Sequence, residues 1–364
     1  MFTPTIQMWD LTVDRQLGRD LMLQVGYVGS QSYHTNLTMD TNTAPSEVCQ
    51  NPQGCRSGGV LAASQAAMVP QGTTYMPSRP PVVVNGVPLV QRPNPYVSNT
   101  QAWFDQGTAS YHALNVSLLK RATRGLTFKV NYSFSKGLDL NSAILAPSGE
   151  NEPTNLVSPY NRRLNKGVAA YNPAHQFNTN FSYQLPFGSG QRFGSGASGW
   201  LNRLIGGWQW NGITTAQTGF PFTPLIGFNN SGTGEGTQPT DIADRNPNFK
   251  GPVILGTADH WFDPRAFSMP VAGTFGNAGR SAYRGPGLFN VDTSLFKRIP
   301  IRESVTLQFR AEAFNVFNHA NFAFPNQVVF QGNSSNYSYS ESAGEITNTA
   351  TASRQIQFAL KLLF

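Results

Sequence analysis

The sequence predicts an all-β protein, a portion of an antiparallel transmembrane β-barrel with long strands. Three observations predict it. Apolar and polar residues alternate along many segments, short and long connections alternate between these segments, and only 12% of the chain is charged. Soluble globular domains carry about 25% charged residues. A soluble helical enzyme is therefore disfavoured, and the 25 Phe and 12 Tyr residues argue against disorder.

The alternation is clearest in residues 126–136. Phe128 and Val130 point to one side of an extended chain, while Lys129 and Asn131 point to the other. The same pattern predicts about nine strands. They lie at residues 7–16, 21–30, 110–120, 126–136, 176–185, 208–218, 289–297, 305–315 and 354–364.

Strand length distinguishes a membrane barrel from a soluble β-sandwich. Tilted strands need ~9 to 11 residues to cross a bilayer, whereas strands of globular proteins average about five or six. The predicted strands have the greater length. Their polar faces carry amides and hydroxyls, as in a hydrated lumen, and their apolar faces are often aromatic, as beside lipid. The alternative is a sandwich whose apolar faces pack together, but sandwich strands seldom sustain such alternation.

The connections predict which membrane this is. The short ones are residues 17–20, 121–125, 186–207 and 298–304, and the long ones are 31–109, 137–175, 219–288 and 316–353. Outer-membrane barrels have short periplasmic turns and long external loops, which predicts the outer membrane of a Gram-negative-type cell, although 186–207 is long for a turn. An odd number of strands does not close a single-chain bacterial barrel. We therefore expect residues 1–364 to be the C-terminal part of a larger barrel, without plug domain or signal peptide.

Positive charge is concentrated in the short turns. Windows 15–20, 120–125, 186–206 and 297–304 contain ten basic and two acidic residues. Within them, Arg121, Arg124, Arg298 and Arg302 are predicted to form a periplasmic basic rim that meets anionic phospholipid, since a basic residue gains about 1 kcal/mol there. Nucleic-acid binding is not expected, because the charges are spread over separate turns.

Several motifs carry a family resemblance. The last strand has apolar residues at alternate positions, namely Ile356, Phe358, Leu360, Leu362 and Phe364. This looks like the C-terminal β-signal that the barrel-assembly machinery reads. Further motifs, spread over nearly the whole chain, resemble the Oar-like TonB-dependent outer-membrane receptors. They lie at residues 25–30, 185–188, 206–209, 261–267, 273–280, 284–287, 290–297 and 307–319.

The resemblance implies an outer-membrane transporter with an N-terminal carboxypeptidase-regulatory-like domain and a plug inside a barrel of about 22 strands. It implies uptake of a bulky nutrient driven through the TonB protein, which would act on a plug that this sequence lacks. No ligand-binding residue can be transferred from the family. No cofactor, metal or catalytic residue is expected.

Cys49 and Cys55 flank a short loop, and a disulfide is favoured over a metal site. Two free thiols would be expected in a reducing compartment. The loops 31–109 and 219–288 are candidate recognition loops, with poorly ordered surface loops as an equal alternative. Asn85-Gly86 predicts a small hairpin inside the first.

Other motifs favour structural interpretations. The glycines of residues 194–199 match a dinucleotide fingerprint but lack its strand and acidic residue, so we expect a flexible turn, with a short helix at 200–205. Five scattered histidines show no metal-ligand spacing. Arg310 and Glu312 share a polar face, and a lumenal ion pair is favoured over ligand contact.

Two other functions remain open. One is a structural or adhesive surface protein without transport, and the other is a secreted carbohydrate-binding sandwich. An enzyme is the least favoured class, because the sequence groups no nucleophile, base and orienting acid.

Overall fold

A computed structural model describes residues 2–79, 82–89, 92–97, 100–142, 156–234, 241–302 and 304–364. Within them, nine long strands follow one another in an antiparallel sheet. Each strand pairs with the next along the chain, so the sheet is a meander whose end strands are the first and last. The strands are β1 (Thr5–Gln16), β2 (Leu21–Asp40), β3 (Gln101–Thr123), β4 (Leu126–Asp139), β5 (His175–Gln184), β6 (Trp208–Gln217), β7 (Leu288–Arg302), β8 (Val305–Phe314) and β9 (Gln355–Leu363).

These strands confirm the predicted antiparallel β-class and the alternation on which it was based. β2 and β3 are longer than predicted. They continue pairing from Tyr33 and Thr108 to Asp40 and Gln101 through two register shifts. His34 has a φ of 56° within this stretch. The irregularity breaks the alternation of side chains, which is why the sequence pattern ended these two strands too early.

The strands are joined at two different ends of the sheet. We call the end with the connections 17–20, 124–125, 185–207 and 303–304 the short-turn end. The turn after β3 consists of Arg124 and Gly125, with φ values of 52° and 81°. Two consecutive positive φ angles give a hairpin turn that matches the strand twist.

The opposite end carries a folded layer that we call the loop cap, made of the described residues within 41–100, 140–174, 218–287 and 315–354. Its short strands pair in small sheets. They are Glu47–Val48 with Thr74–Tyr75, Cys55–Ser57 with Ala67–Val69, Val82–Val84 with Val87–Leu89, Pro221–Phe222 with Tyr283–Arg284, Asp244–Arg245 with Phe267–Ser268, Leu225–Ile226 with Val328–Asn333, and Val328–Asn333 with Asn336–Tyr339. Gly167–Val168 pairs with the end of β4.

Helical structure is scarce in the described residues. One α-helix, α1 (Gly199–Ile205), lies in the connection between β5 and β6, where a short helix was predicted. Three 3-10 turns occur at Ala63–Gln65, Arg162–Asn165 and Pro264–Ala266. No helix among these residues has the length and apolar character needed to cross a membrane.

The main hydrophobic core lies in the loop cap rather than against the sheet. Phe222, Phe262 and Phe267 are fully buried there, together with Val329 and Phe330 from the last long connection. A second cluster joins Leu37 and Met39 of β2 to Leu140 and Leu156. The predicted alternative of poorly ordered surface loops is therefore wrong for the described part of 219–288, because its aromatic residues form a packed core.

Candidate functional site

The polar face of the sheet is a continuous row of hydrogen-bonding side chains. Ser133 donates to Asn115 Oδ1 at 2.6 Å, and Ser117 donates to Asn131 Oδ1 at 3.0 Å. Both pairs are direct cross-strand neighbours, so the alternation of β3 and β4 places them together.

The same arrangement continues across β5, β6 and β7. Gln209 Nε2 donates to Ser182 Oγ at 2.9 Å, and Asn211 Nδ2 donates to Ser294 Oγ at 3.2 Å. Between β1 and β4 the polar face forms a pocket of about 300 Å³ whose lining includes Lys129. Neutral amides and hydroxyls that already bond to one another present a hydrated surface suited to many weak polar contacts.

Arg310 and Glu312 do not form the predicted ion pair within the part of the chain that is described. Arg310 Nη2 instead donates to Gln308 Oε1 at 2.8 Å, and its guanidinium lies 4.8 Å from the centre of the Phe296 ring. Glu312 accepts a hydrogen bond of 2.5 Å from Gln357. Gln357 is the direct neighbour of Glu312 on β9, so Glu312 bonds across the strands, whereas Arg310 bonds to Gln308, two positions back on its own strand.

The opposite face of the sheet is apolar and uncovered. The five residues of the predicted β-signal, four on β9 and one directly after it, are examples. All five are exposed, and Phe358 is 70% exposed. Phe358 pairs across the ladder with Ala311 and lies 6.2 Å from the ring of Phe309. An uncovered apolar face is expected where lipid, rather than water, is the solvent.

Histidines and aromatic rings form a row on the sheet near the loop cap. Tyr27 Oη lies 2.7 Å from His112 Nδ1, and Tyr132 Oη lies 2.8 Å from His175 Nδ1. His34 stacks on Phe2, and His319 contacts Phe289 edge-on. The sequence showed these histidines as scattered. His175 begins β5 and His319 follows β8, while His112, in the middle of β3, pairs with Lys136 near the cap end of β4. Amphipathic rings at one level are typical of an aromatic girdle at a membrane interface.

The short-turn end carries the predicted basic residues. Arg121, Arg124, Arg298 and Arg302 are all exposed. In the first turn, Asp20 forms an ion pair with Lys120. The hydrogen bond from the Lys120 ammonium, followed by one from Thr123, holds the pKa of the Asp20 carboxyl below its ordinary value.

A buried ion pair fastens the loop cap to the sheet. Arg280 Nη2 lies 2.8 Å from Asp139 Oδ1 at the end of β4, and both side chains are buried. Arg280 Nη1 also donates to the backbone oxygens of Asp139 and Asn165, at 3.1 and 2.9 Å. Because its donors face several acceptors, the guanidinium is compensated despite its burial.

Other cap residues are held by local bonds. Cys49 and Cys55 form a disulfide with a sulfur–sulfur distance of 2.03 Å, next to Val69 and Tyr75.

The Asp241 carboxylate accepts two backbone hydrogen bonds of 2.6 Å, from the N–H groups of Asn230 and Ser231. Burial outweighs these bonds and raises the pKa of Asp241 above its ordinary value of 3.8.

No metal centre is indicated among the residues that the structure covers, where no three His, Cys, Asp or Glu side chains group together.

An apolar hollow of about 390 Å³ lies at the cap end of the sheet, lined in part by Trp261, Phe289, His319 and Phe322. The candidate functional site is thus the polar face together with the cap above it.

Comparison with known proteins gives a family and a distant structural likeness. The model of a family described as outer membrane beta barrel domain matches residues 1–357. No curated protein matches the sequence. Among solved structures, the outer membrane transporter YddB from Escherichia coli is similar, with 10% identity and a TM-score of 0.44. The similarity covers 99% of this chain but only 32% of that transporter, so the chain spans about a third of its length.

Proposed function

The chain belongs to the outer membrane beta barrel domain family and lies in the cell outer membrane; from that premise we propose that it forms part of the barrel wall of a TonB-dependent receptor that binds and takes up a bulky nutrient. The Oar-like motifs of the sequence support the receptor class. In this proposal the chain catalyses no reaction and needs no cofactor, and the TonB system acts on it only through a plug domain.

The polar face is the observation that carries the proposal. Its side chains bond across strands, as Ser117 does with Asn131, and remain open to a pocket. The opposite face is apolar and exposed. The sheet thus has one polar and one apolar face, and the loop cap lies at one end of it. In a barrel, such a polar face lines the interior and is suited to guide a polar solute.

A pair of neighbouring substitutions tests the uptake proposal. Asn131→Trp would place bulk on the polar face, whereas Val130→Trp, one residue away, would place it towards lipid. The probes are fluorescein-labelled maltodextrins and oligopeptides, taken up by cells with and without a protonophore. We expect the first variant, but not the second, to lower uptake that depends on the proton gradient. Equal uptake by the gene deletion and the wild type for every probe would contradict the proposal.

The β-signal proposal concerns assembly rather than transport. We propose that the terminal apolar row is recognised by the barrel-assembly machinery. Phe364→Ser is expected to lower the amount of protein in the outer membrane, because it removes the last member of that row. Leu363→Ser, on the other side of the strand, is the matched control. Equal membrane levels of both variants would argue against a signal at this position.

Adhesion is the second candidate, and exposed aromatic residues of the cap favour it. Tyr96, Tyr160 and Tyr171 are all exposed, and aromatic side chains are enriched at recognition surfaces. Replacing all three with Ser is expected to reduce cell attachment to surfaces if the cap is adhesive. Under the receptor proposal, attachment would be unchanged.

A further inference from the structure

The longest of the short-turn connections is folded, and its residues 186–207 carry an exposed apolar surface. Its helix α1 presents Trp200, which is 75% exposed, together with exposed Leu201 and Leu204. Trp200 and Leu204 are four residues apart, so they lie on the same side of the helix. Arg203 is exposed beside them. An apolar helix side flanked by a basic residue is typical of helices that lie at a membrane interface.

Internal bonds give this segment a defined shape. Gly188 and Phe193 are joined by a backbone hydrogen bond of 2.9 Å, and the rings of Phe187 and Phe193 lie 5.6 Å apart. Arg192 lies over the Phe193 ring at 5.4 Å. Asn202 Oδ1 accepts a 2.6 Å bond from the Ser189 N–H, which ties α1 to the preceding loop. These bonds involve residues on either side of 194–199, where a flexible turn is predicted.

Two side chains from the apolar face of the sheet hold the end of α1. Trp208 Nε1 donates to the Leu204 carbonyl at 3.0 Å, and Lys297 Nζ donates to the same oxygen at 2.9 Å and also to the Gly206 carbonyl. Lys297 is buried and lies 4.8 Å from the centre of the Trp208 ring. Its ammonium thus satisfies helix carbonyls that have no partner within the helix.

The position of these anchors decides which side of the sheet α1 occupies. Trp208 and Lys297 are direct cross-strand neighbours, and Trp210 and Leu295 follow them on the same face. That face is the exposed apolar one, where Trp210 is 46% exposed. The C-terminal end of α1 is therefore held from the apolar face of the sheet, the face that barrel proteins turn to lipid.

We propose that residues 186–207 form a membrane-interface anchor, in which Trp200, Leu201 and Leu204 enter the phospholipid of the inner leaflet. Arg192 and Arg203 supply the charge that complements anionic head groups. Tryptophan is enriched at membrane–water interfaces, and helices of this polarity lie in the interface plane. Because short turns face the periplasm in such barrels, the leaflet is the phospholipid one.

Site-specific photo-crosslinking in intact cells tests the anchor. Trp200→p-benzoyl-phenylalanine is the test variant, Trp210→p-benzoyl-phenylalanine is the control within the apolar face, and Tyr171→p-benzoyl-phenylalanine is the exposed control in the loop cap. After irradiation, the adducts are identified by mass spectrometry. We expect phospholipid adducts at positions 200 and 210 and no phospholipid adduct at position 171.

The controls separate the possible failures. Lipid adducts at position 210, with a protein adduct, a lipopolysaccharide adduct or none at position 200, would overturn the anchor and leave the barrel proposal intact. Absence of lipid at both positions 200 and 210 would overturn the anchor together with the assignment of the apolar face to lipid.

Discussion

The sheet and the loop cap of this protein place apolar residues in opposite ways. On the sheet, large side chains such as Phe358 are exposed, and buried positions include polar residues such as Gln308. In the cap, Phe222 and Phe262 are fully buried and lie 5.4 Å apart, as in the core of a soluble domain. The difference indicates that the sheet and the loop cap are adapted to different solvents. An uncovered apolar face is expected beside lipid and a buried apolar core is expected beside water, so apolar residues lie outside on one face of the sheet and inside in the cap.

The largest expected effect removes a buried ring from the cap. Phe222→Ala deletes a fully buried side chain and is expected to cost about 3–5 kcal/mol of cap stability, because a cavity remains. The matched change on the sheet is Phe358→Ala, whose side chain faces outward and leaves no cavity. Protease cleavage within the cap should rise only in the first variant. Similar sensitivity in both would contradict two separate environments.

Breaking the ion pair between cap and sheet is expected to have a comparable cost. Arg280→Met leaves the buried Asp139 carboxylate without its guanidinium, and loss of one partner of a buried pair costs about 3–5 kcal/mol. Arg79→Met is the control, since its pair with Glu47 is more exposed and such pairs contribute about 0–1 kcal/mol. Hydrogen exchange in residues 156–174 measures the difference. Unchanged exchange in Arg280→Met would show that the pair does not hold the cap.

A charge placed on either face of β5 compares the two sides of the sheet. Phe181→Lys is expected to cost about 2–4 kcal/mol if the residue lies near the bilayer midplane. Phe181 packs on Trp210 with ring centres 4.7 Å apart, and both belong to the apolar face. Asn180→Lys, on the polar face, should have little effect. Heat-modifiable gel mobility and urea titration in detergent provide the measurement, and equal losses would argue against the assignment of the faces.

The smallest effect concerns pH and the buried carboxyl of the cap. Because the folded pKa of Asp241 is raised above its ordinary 3.8, folding favours the protonated form. The contribution of Asp241 to stability is therefore fully present below pH 3.8 and is lost as pH rises through the folded pKa. Asp241→Asn should remove this decline and leave the cap equally stable or more stable at neutral pH. Hydrogen exchange in the cap, followed as the pH rises from 3.8, provides the check.

Asp263→Asn is the opposing control. The hydrogen bond from Arg265 lowers the pKa of Asp263, so its stabilisation is present above pH 3.8 and is lost as pH falls through the folded pKa. This variant should weaken the cap at neutral pH. The same sign of effect in both variants would show that their environments have been misassigned.

The sequence predicted the sheet well, because apolar and polar residues alternate along each strand and so distinguish its two faces. The ends of β4 and β8 differ little from the predicted ones. β2 and β3 were predicted too short because two register shifts interrupt the alternation. The Arg310 and Glu312 pair was wrongly predicted, since Glu312 bonds to its cross-strand neighbour Gln357 and Arg310 bonds to Gln308, on its other side along the same strand. The histidine row was missed, because its members are joined only by strand pairing.

The sequence by itself determined the strands, their two faces and the short turns, since alternation and turn chemistry act over a few residues. Only the tertiary structure decided that the long connections form a cap with its own core, and that α1 lies on the apolar side of the sheet. Arg280 and Asp139 are 141 positions apart, and Lys297 holds a carbonyl 93 positions away. Such contacts follow from how the strands align, which no local pattern contains.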